Sequence, residues 1–192
     1  MDTPVRNPIQ IARPGRFVIV TAWIAAAWCL GFATVNVVFE LSGHFTAGPL
    51  AAYAGGLSVM DWLMVGLKVI GAVIALLSVS RLRPVPVGVL GVLLCGGSAT
   101  LAIYAAGNIV ESFGMLVGLI DPGRPIRALD VGYVIFFAVA GAAFGVLAIS
   151  YARRSGLRRL PIALGVLGAP ALLAGVLVVA PVLLAAVGLF PD

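Results

Sequence analysis

The sequence predicts an all-α integral membrane protein, a single domain that forms a five-transmembrane-helix bundle. Three observations predict this class. Of the 192 residues 62% are hydrophobic, the mean hydropathy is +1.17, and only 10% are charged, against about 25% in an average soluble domain. The 12 basic and 7 acidic side chains are too few to cover the surface of a soluble domain of this length. This composition excludes a soluble enzyme, a disordered chain and, despite the net charge of +5, a nucleic-acid-binding domain.

Five stretches reach the roughly 20 mostly apolar residues that a membrane helix needs. They cover residues of about 17–39, 62–80, 87–107, 131–151 and 161–190. We expect the first to be an uncleaved helix, because its apolar region exceeds the 7–15 residues or so of a signal peptide. Residues 109–120 are too short to cross, so they either extend the third span or lie in the interface. The last span is longer than needed and contains Pro170 and Pro181, so we expect tilt or a kink.

The basic residues predict the orientation of the bundle. Nine of the twelve fall on one side of the five spans: Arg6, Arg13, Arg16, Arg81, Arg83, Arg153, Arg154, Arg158 and Arg159. Only Arg124 and Arg127 fall on the other side. The positive-inside rule therefore predicts a cytoplasmic N-terminus, an extracytoplasmic C-terminus and a multi-pass protein of the cell (plasma) membrane.

The acidic residues gather on the predicted outer side, although acids contribute little to topology. They are Glu40, Asp61, Glu111, Asp121, Asp130 and Asp192, with Asp2 alone inside. Their distribution therefore needs another cause, and it is the main functional indication in the sequence.

Helical spacing places polar and aromatic side chains on shared faces in four spans. These sets are Asn36 and Glu40; Asp61 and Lys68; Tyr104, Asn108 and Glu111; and Asp130, Tyr133 and Phe137. The fifth span has no such stripe. Trp62 fits an outer aromatic belt.

Lys68 is the deepest charge, roughly 10 Å below Asp61 at 1.5 Å per residue. An ionisable group at the bilayer centre costs about 2.5–3.5 kcal/mol on insertion scales. Such groups face the bundle interior, so we expect Lys68 to pair with Asp61, Glu40 or Glu111. A structural ion pair, or a lysine that snorkels towards the headgroups, is the alternative interpretation.

The remaining special residues predict no cofactor and no metal site. His44 is the only histidine, so a histidine-rich site is excluded, and a lone loop histidine is usually a solvated group. Cys29 and Cys95 lie inside spans and are expected to be apolar packing residues. We also interpret the glycine pairs Gly141/Gly145 and Gly114/Gly118 as packing positions.

The segment from Asn36 to Gly43 resembles a degenerate HxxWxxGG motif, which marks a domain-of-unknown-function family of small actinobacterial multi-pass membrane proteins. Asn36 stands for the histidine, Phe39 for the tryptophan and Ser42 for the first glycine, while Gly43 matches. The resemblance covers about residues 17–154. It implies the same architecture, and it implies nothing about mechanism because that family has no established activity.

The combination of outer-half carboxylates and aromatic rings also resembles the sites of small membrane-bound terpene cyclases. Those enzymes protonate an alkene or epoxide with a buried carboxylic acid, and aromatic faces stabilise the cation. The resemblance implies a terpene or meroterpenoid cyclase or isomerase.

We therefore predict a membrane-embedded enzyme that performs acid/base chemistry on a lipophilic small molecule. The predicted catalytic residues are Glu40, Asp61 and Glu111. The predicted substrate-binding residues are Asn36, Trp62, Lys68, Tyr104, Asn108, Asp130, Tyr133 and Phe137. The lipid bilayer is the expected partner, with no nucleic acid and with a homo-oligomer left open. The alternatives are a non-enzymatic subunit, chaperone or immunity factor whose polar stripes hold the helices together, and, last, a small transporter.

Overall fold

A computed structural model describes residues 12–81, 84–120 and 127–189 of the chain. These residues form helices joined by short turns. The α-helices are α1 (Arg16–Leu41), α2 (Ala54–Leu77), α3 (Val87–Leu116), α4 (Ala128–Ser155), α5 (Arg159–Ala174) and α6 (Ala180–Ala186). A 3₁₀-helix (Gly48–Tyr53) precedes α2, and a π-helical turn (Gly175–Val179) joins α5 to α6. Several charged residues named in the sequence analysis lie outside the described residues: Asp2, Arg6, Arg83, Asp121, Arg124 and Asp192.

In the part of the chain that the structure describes, five helical segments are long and apolar enough to cross a membrane, as the sequence predicted. The segments are Arg16–Leu41, Ala51–Leu77, Val87–Leu116, Ala128–Ser155 and Arg159–Ala186. Their most apolar windows have mean hydropathies between 1.9 and 2.5.

Two helices extend beyond the predicted spans. Helix α2 begins at Ala54, eight residues before the predicted start, because Asp61 is accommodated inside the helix by a partner on α1. Helix α3 continues to Leu116, so most of the segment 109–120 extends the third span. At 1.5 Å per residue this helix is about 45 Å long, more than the roughly 30 Å hydrocarbon core.

Consecutive long helices run in opposite directions, so the bundle has two chemically different ends. We call the end at which α1, α3 and α5 begin the basic end, and the opposite end the acidic end. Helix α1 packs on α2 and α4, and α3 packs on α4 and α5, whereas α2 touches α3 only sparsely. The described acidic residues, Glu40, Asp61, Glu111 and Asp130, all lie towards the acidic end.

Small residues bring the helix backbones close together. The core of α1 and α2 is rich in alanine, including Ala22, Ala25 and Ala75, each at most 1% exposed. Between α3 and α5, a Cβ added to Gly165 would lie 2.5 Å from the Val92 carbonyl oxygen. Such close approach is the usual basis of helix association in membranes, where apolar burial alone provides little driving force.

The two glycine pairs have different roles. Gly141 and Gly145 face α3, with added Cβ atoms 3.6 Å from Ala102 N and 3.5 Å from Ser98 Oγ, so the packing interpretation is confirmed. Gly114 and Gly118 do not bring two spans together: Gly114 is buried against its own chain, with an added Cβ 2.6 Å from Ile120 Cδ1. Gly118 has a φ of +73° and follows the end of α3, where Leu119 N donates to Gly114 O at 2.8 Å. This pair terminates the helix, since glycine adopts the left-handed conformation at low cost.

The irregularity expected in the last span is the π-helical turn. Ala180 N donates to Gly175 O, five residues earlier, immediately before Pro181. Proline lacks an N–H and cannot continue the i→i−4 pattern, so the local change in hydrogen bonding accommodates it. Pro170 lies within α5 without ending it.

Candidate functional site

Two hydrogen bonds of opposite donor direction join α1 to α2 near the acidic end. Asn36 Nδ2 donates to Asp61 Oδ1 at 2.6 Å, and Ser58 Oγ donates to Glu40 Oε2 at 2.6 Å. Asn36 and Glu40 are one turn apart on α1, and Ser58 and Asp61 are nearly one turn apart on the antiparallel α2. Because of this helical spacing, each helix contributes one donor and one carboxylate to the same contact, and each donor faces the carboxylate of the other helix.

Each carboxylate keeps one oxygen without a partner. Asp61 Oδ2 and Glu40 Oε1 are buried and make no hydrogen bond to any described residue. The two groups are close enough for their charges to interact. A buried oxygen without a donor is costly, so this carboxylate pair (Glu40 and Asp61) is a place where a further proton or donor would be stabilised.

Lys68 contacts an aromatic ring instead of a carboxylate. Its Nζ lies 3.6 Å from the centroid of the Phe32 ring, where the quadrupole of the ring attracts a cation. In residues 12–81, 84–120 and 127–189 no ion pair holds Lys68 within 4.0 Å, although Asp61 still attracts its charge. The expected ion pair is therefore replaced by Phe32, because Lys68 lies about two turns from Asp61 along α2.

A cavity of about 570 Å³ lies between the five long helical segments, next to this polar cluster. Its walls are mostly aliphatic and aromatic, and five of the lining side chains carry a nitrogen or oxygen atom: Trp28, Asn36, Lys68, Thr100 and Tyr104. Such a size and lining are typical of sites for small lipophilic molecules. Asn36 links the cavity to the carboxylate pair, because it lines the cavity and also bonds Asp61.

Aromatic rings from three helices surround one part of this cavity. Trp28 and Phe32 on α1 lie with ring centroids 5.6 Å apart, Phe32 is 5.8 Å from Phe137 on α4, and Tyr104 on α3 is 4.6 Å from Phe137. Phe136 also contacts Trp28 at 4.9 Å. Together these rings offer several π faces to a bound molecule.

Two polar atoms of the cavity residues are buried without a protein partner. They are the indole Nε1 of Trp28 and Oγ1 of Thr100, neither of which bonds any described group. The residues around the cavity therefore include two unsatisfied hydrogen-bonding groups, which is costly in an apolar environment.

The structure brings together some of the predicted site residues and separates others. Asn36, Lys68, Tyr104 and Phe137 line the cavity, and the carboxylate pair adjoins it. Glu111 is exposed near the end of α3 and does not line it.

The other predicted residues lie apart from the cavity lining. Trp62 is 51% exposed, and Tyr133 is 48% exposed and stacks on Phe137 at 6.3 Å. Asn108 donates to Tyr104 O within α3 at 2.7 Å. Asp130 accepts a hydrogen bond from Arg127 N at 2.9 Å at the start of α4, which is a helix-capping role.

Sequence reasoning missed four residues of the site: Trp28, Phe32, Ser58 and Thr100. A signal for the first two is present, since Trp28, Phe32, Asn36 and Glu40 follow one another at intervals of four and so lie along one side of α1. Ser58 likewise precedes Asp61 by three residues. No comparable pattern marks Thr100.

Comparisons with known proteins give no assignment: no family model, no curated protein and no solved structure matches the chain. Within the described residues, no group of three or more His, Cys, Asp or Glu side chains is placed to hold a metal ion.

Proposed function

We propose that this chain is a membrane-embedded enzyme that takes a lipophilic small molecule into the cavity and transfers protons with the carboxylate pair. The observation that carries the proposal is the 570 Å³ cavity, whose apolar walls end at Asn36 and Lys68. The apolar walls would hold a hydrocarbon chain, while the N–H donors of these two residues would bind an oxygen at its end.

The reaction class we propose is isomerisation or cyclisation of an isoprenoid-type molecule. One carboxyl group gives a proton to an alkene carbon, and a carboxylate removes a proton from another carbon, so a double bond moves or a ring closes. Atoms and electrons balance without a co-reactant. The rings of Trp28, Phe137 and Tyr104 would stabilise a cation formed on the way. Glu111 is not part of this proposal, since its exposed side chain neither lines the cavity nor bonds a residue that does, whereas Asp61 bonds the lining residue Asn36.

We further propose that the basic end faces the cytoplasm and that the acidic end, with the carboxylate pair, faces outward across the plasma membrane. The support is the positive-inside rule applied to the arginines of the connections.

A non-enzymatic scaffold is the second candidate, and one observation favours it. Asp61 and Glu40 each accept a hydrogen bond across the α1–α2 interface, which is what residues that only hold helices together would do.

Comparative mass spectrometry of lipid extracts from a deletion strain, complemented with variants, separates the two candidates. We expect the wild-type chain to restore a lipophilic product and Asp61→Asn and Glu40→Gln to lose it while their detergent melting stays near wild type. Retention of the product by both variants would refute the enzymatic proposal. If only Glu111→Gln lost the product, the reaction would have to take place at Glu111, outside the cavity.

A cavity-blocking variant and a matched control sharpen the test. Gly168 lines the cavity, and an added Cβ there meets nothing within 4 Å, so Gly168→Phe would fill the cavity without a backbone clash. Gly31 on α1 is equally open but does not line the cavity. We expect Gly168→Phe to abolish product formation and Gly31→Phe to retain it. Equal activity of the two would exclude the cavity as the substrate site.

A further inference from the structure

A second pocket, of about 350 Å³, lies at the basic end, remote from the carboxylate pair. Three arginines from three separate segments line it: Arg13 before α1, Arg81 after α2, and Arg154 near the end of α4. Convergence of three like charges on one pocket is unfavourable unless an anion lies among them.

The Arg154 side chain connects three segments around the pocket through hydrogen bonds. Its Nη2 donates to Ser78 O at 3.0 Å, its Nη1 to Ala12 O at 3.5 Å, and its Nε to Ser150 Oγ at 3.2 Å. These bonds tie the segment before α1 and the end of α2 to α4. Arg13 and Arg81 are exposed at the surface of the pocket, where their guanidinium groups can meet a ligand.

The described part of the basic end has no acidic side chain to balance this charge. It carries seven arginines, namely Arg13, Arg16, Arg81, Arg153, Arg154, Arg158 and Arg159, whereas every described Asp and Glu lies towards the acidic end. No described carboxylate therefore balances the charge of these arginines.

The rest of the pocket wall is mixed, with hydroxyl groups from Ser78, Ser80 and Tyr151 and a continuous set of apolar side chains. Ile19, Leu77, Val85 and Leu90 line it together with the arginines, at the point where the membrane-crossing helices begin or end. A free phosphate ion would gain nothing from contact with these apolar side chains, whereas the glycerol backbone and first acyl carbons of a lipid would bury apolar surface against them.

We propose that this pocket binds the phosphate headgroup of an anionic phospholipid, with its acyl chains along these apolar side chains. Guanidinium groups bind phosphate oxygens in pairs of parallel hydrogen bonds, and basic pockets between membrane helices are known to select anionic lipids. The site is independent of the chemistry at the carboxylate pair. It fixes the positions of the α2 and α4 ends relative to the segment before α1.

Native mass spectrometry of the full chain in detergent tests the site, with phosphatidylglycerol and phosphatidylcholine of identical acyl chains as probes. We expect the wild-type chain to retain phosphatidylglycerol preferentially. The double variant Arg13→Gln/Arg81→Gln should weaken this binding roughly 25-fold, taking about fivefold for each basic residue near the headgroup. Both side chains are exposed, so the variant should melt like the wild type.

The matched control is Arg158→Gln/Arg159→Gln, which removes the same charge from the same end but from residues outside the pocket lining. We expect it to change phosphatidylglycerol binding by no more than about threefold, since these two side chains do not line the pocket and solvent screens exposed charges. An equal loss in both double variants would show a general charge effect and overturn the proposal. Displacement of the lipid by millimolar inorganic phosphate would overturn the assignment to a lipid and leave a simple anion site.

Discussion

The close contact between α3 and α5 gives the sharpest stability prediction. A Cβ at Gly165 would lie 2.5 Å from Val92 O, 2.7 Å from Cys95 Cβ and 3.0 Å from Gly96 N. Unstrained contacts between carbon atoms are about 3.5–4.0 Å, and backbone atoms cannot rotate away. Gly165→Ala therefore requires α3 and α5 to separate by roughly 1 Å.

The size of the effect follows from two opposing terms. Overpacking of a tight interface costs about 1–3 kcal/mol, whereas replacing glycine by alanine inside a helix gains about 0.5–1 kcal/mol. Gly168→Ala, one turn further along α5, obtains the same gain without a clash, because its Cβ meets nothing within 4 Å. The difference between the two variants therefore isolates the overpacking term, and we expect Gly165→Ala to be less stable than Gly168→Ala by about 1–3 kcal/mol.

Unfolding in mixed micelles with increasing sodium dodecyl sulfate, followed by the fluorescence of the three tryptophans, measures this difference. Equal midpoints for the two variants, or a more stable Gly165→Ala, would refute the claim that backbone contact between α3 and α5 holds the last span in place.

Three further predictions concern the polar residues and the orientation. A double-mutant cycle with Asn36→Ala and Asp61→Ala should give a coupling of about 0.6–1.7 kcal/mol in the same unfolding assay, and a coupling near zero would contradict the hydrogen bond. Lys68→Met should change stability by less than about 2 kcal/mol, since it loses a ring contact; a loss of about 3–5 kcal/mol would instead indicate a broken buried ion pair. In a cysteine-free background, Ala47→Cys should react with a membrane-impermeant maleimide in intact cells and Ser80→Cys only after lysis; the opposite pattern would reverse the predicted orientation.

The sequence predicted the five spans because apolar length alone determines which segments can cross a bilayer. It did not predict where the helices end. Asp61 looked like a boundary because a charge is costly inside a span, yet Asn36 on the neighbouring helix provides a partner. Helix α3 runs past Asn108 because that amide bonds its own helix at Tyr104 O and does not interrupt it.

The composition of the site was only partly predictable. Spacing within one helix correctly placed Asn36 and Glu40 on the same face of α1. Their hydrogen bonds to Asp61 and Ser58 depend on the register of α1 against α2, which the sequence does not give. The fifth span has no polar stripe and gave no functional signal, although Leu164, Gly168 and Leu172 form part of the cavity wall. A wall of apolar residues cannot be distinguished from a lipid-facing surface until the neighbouring helices are placed.

The uneven packing of the bundle explains why a cavity exists at all. Helices α1 and α2 pack tightly through alanines, and α3 and α5 approach through Gly96 and Gly165, whereas contact between α2 and α3 is sparse. The cavity occupies the space between these two tightly packed pairs. The cavity is open at its edge, since its lining residues Ile70, Leu164 and Leu177 are more than half exposed, so a lipophilic molecule could enter it directly from the bilayer. If Gly168→Phe keeps the unfolding midpoint of the wild type and abolishes product formation, then the reaction requires this open space itself, and a loss of bundle stability is excluded as the cause.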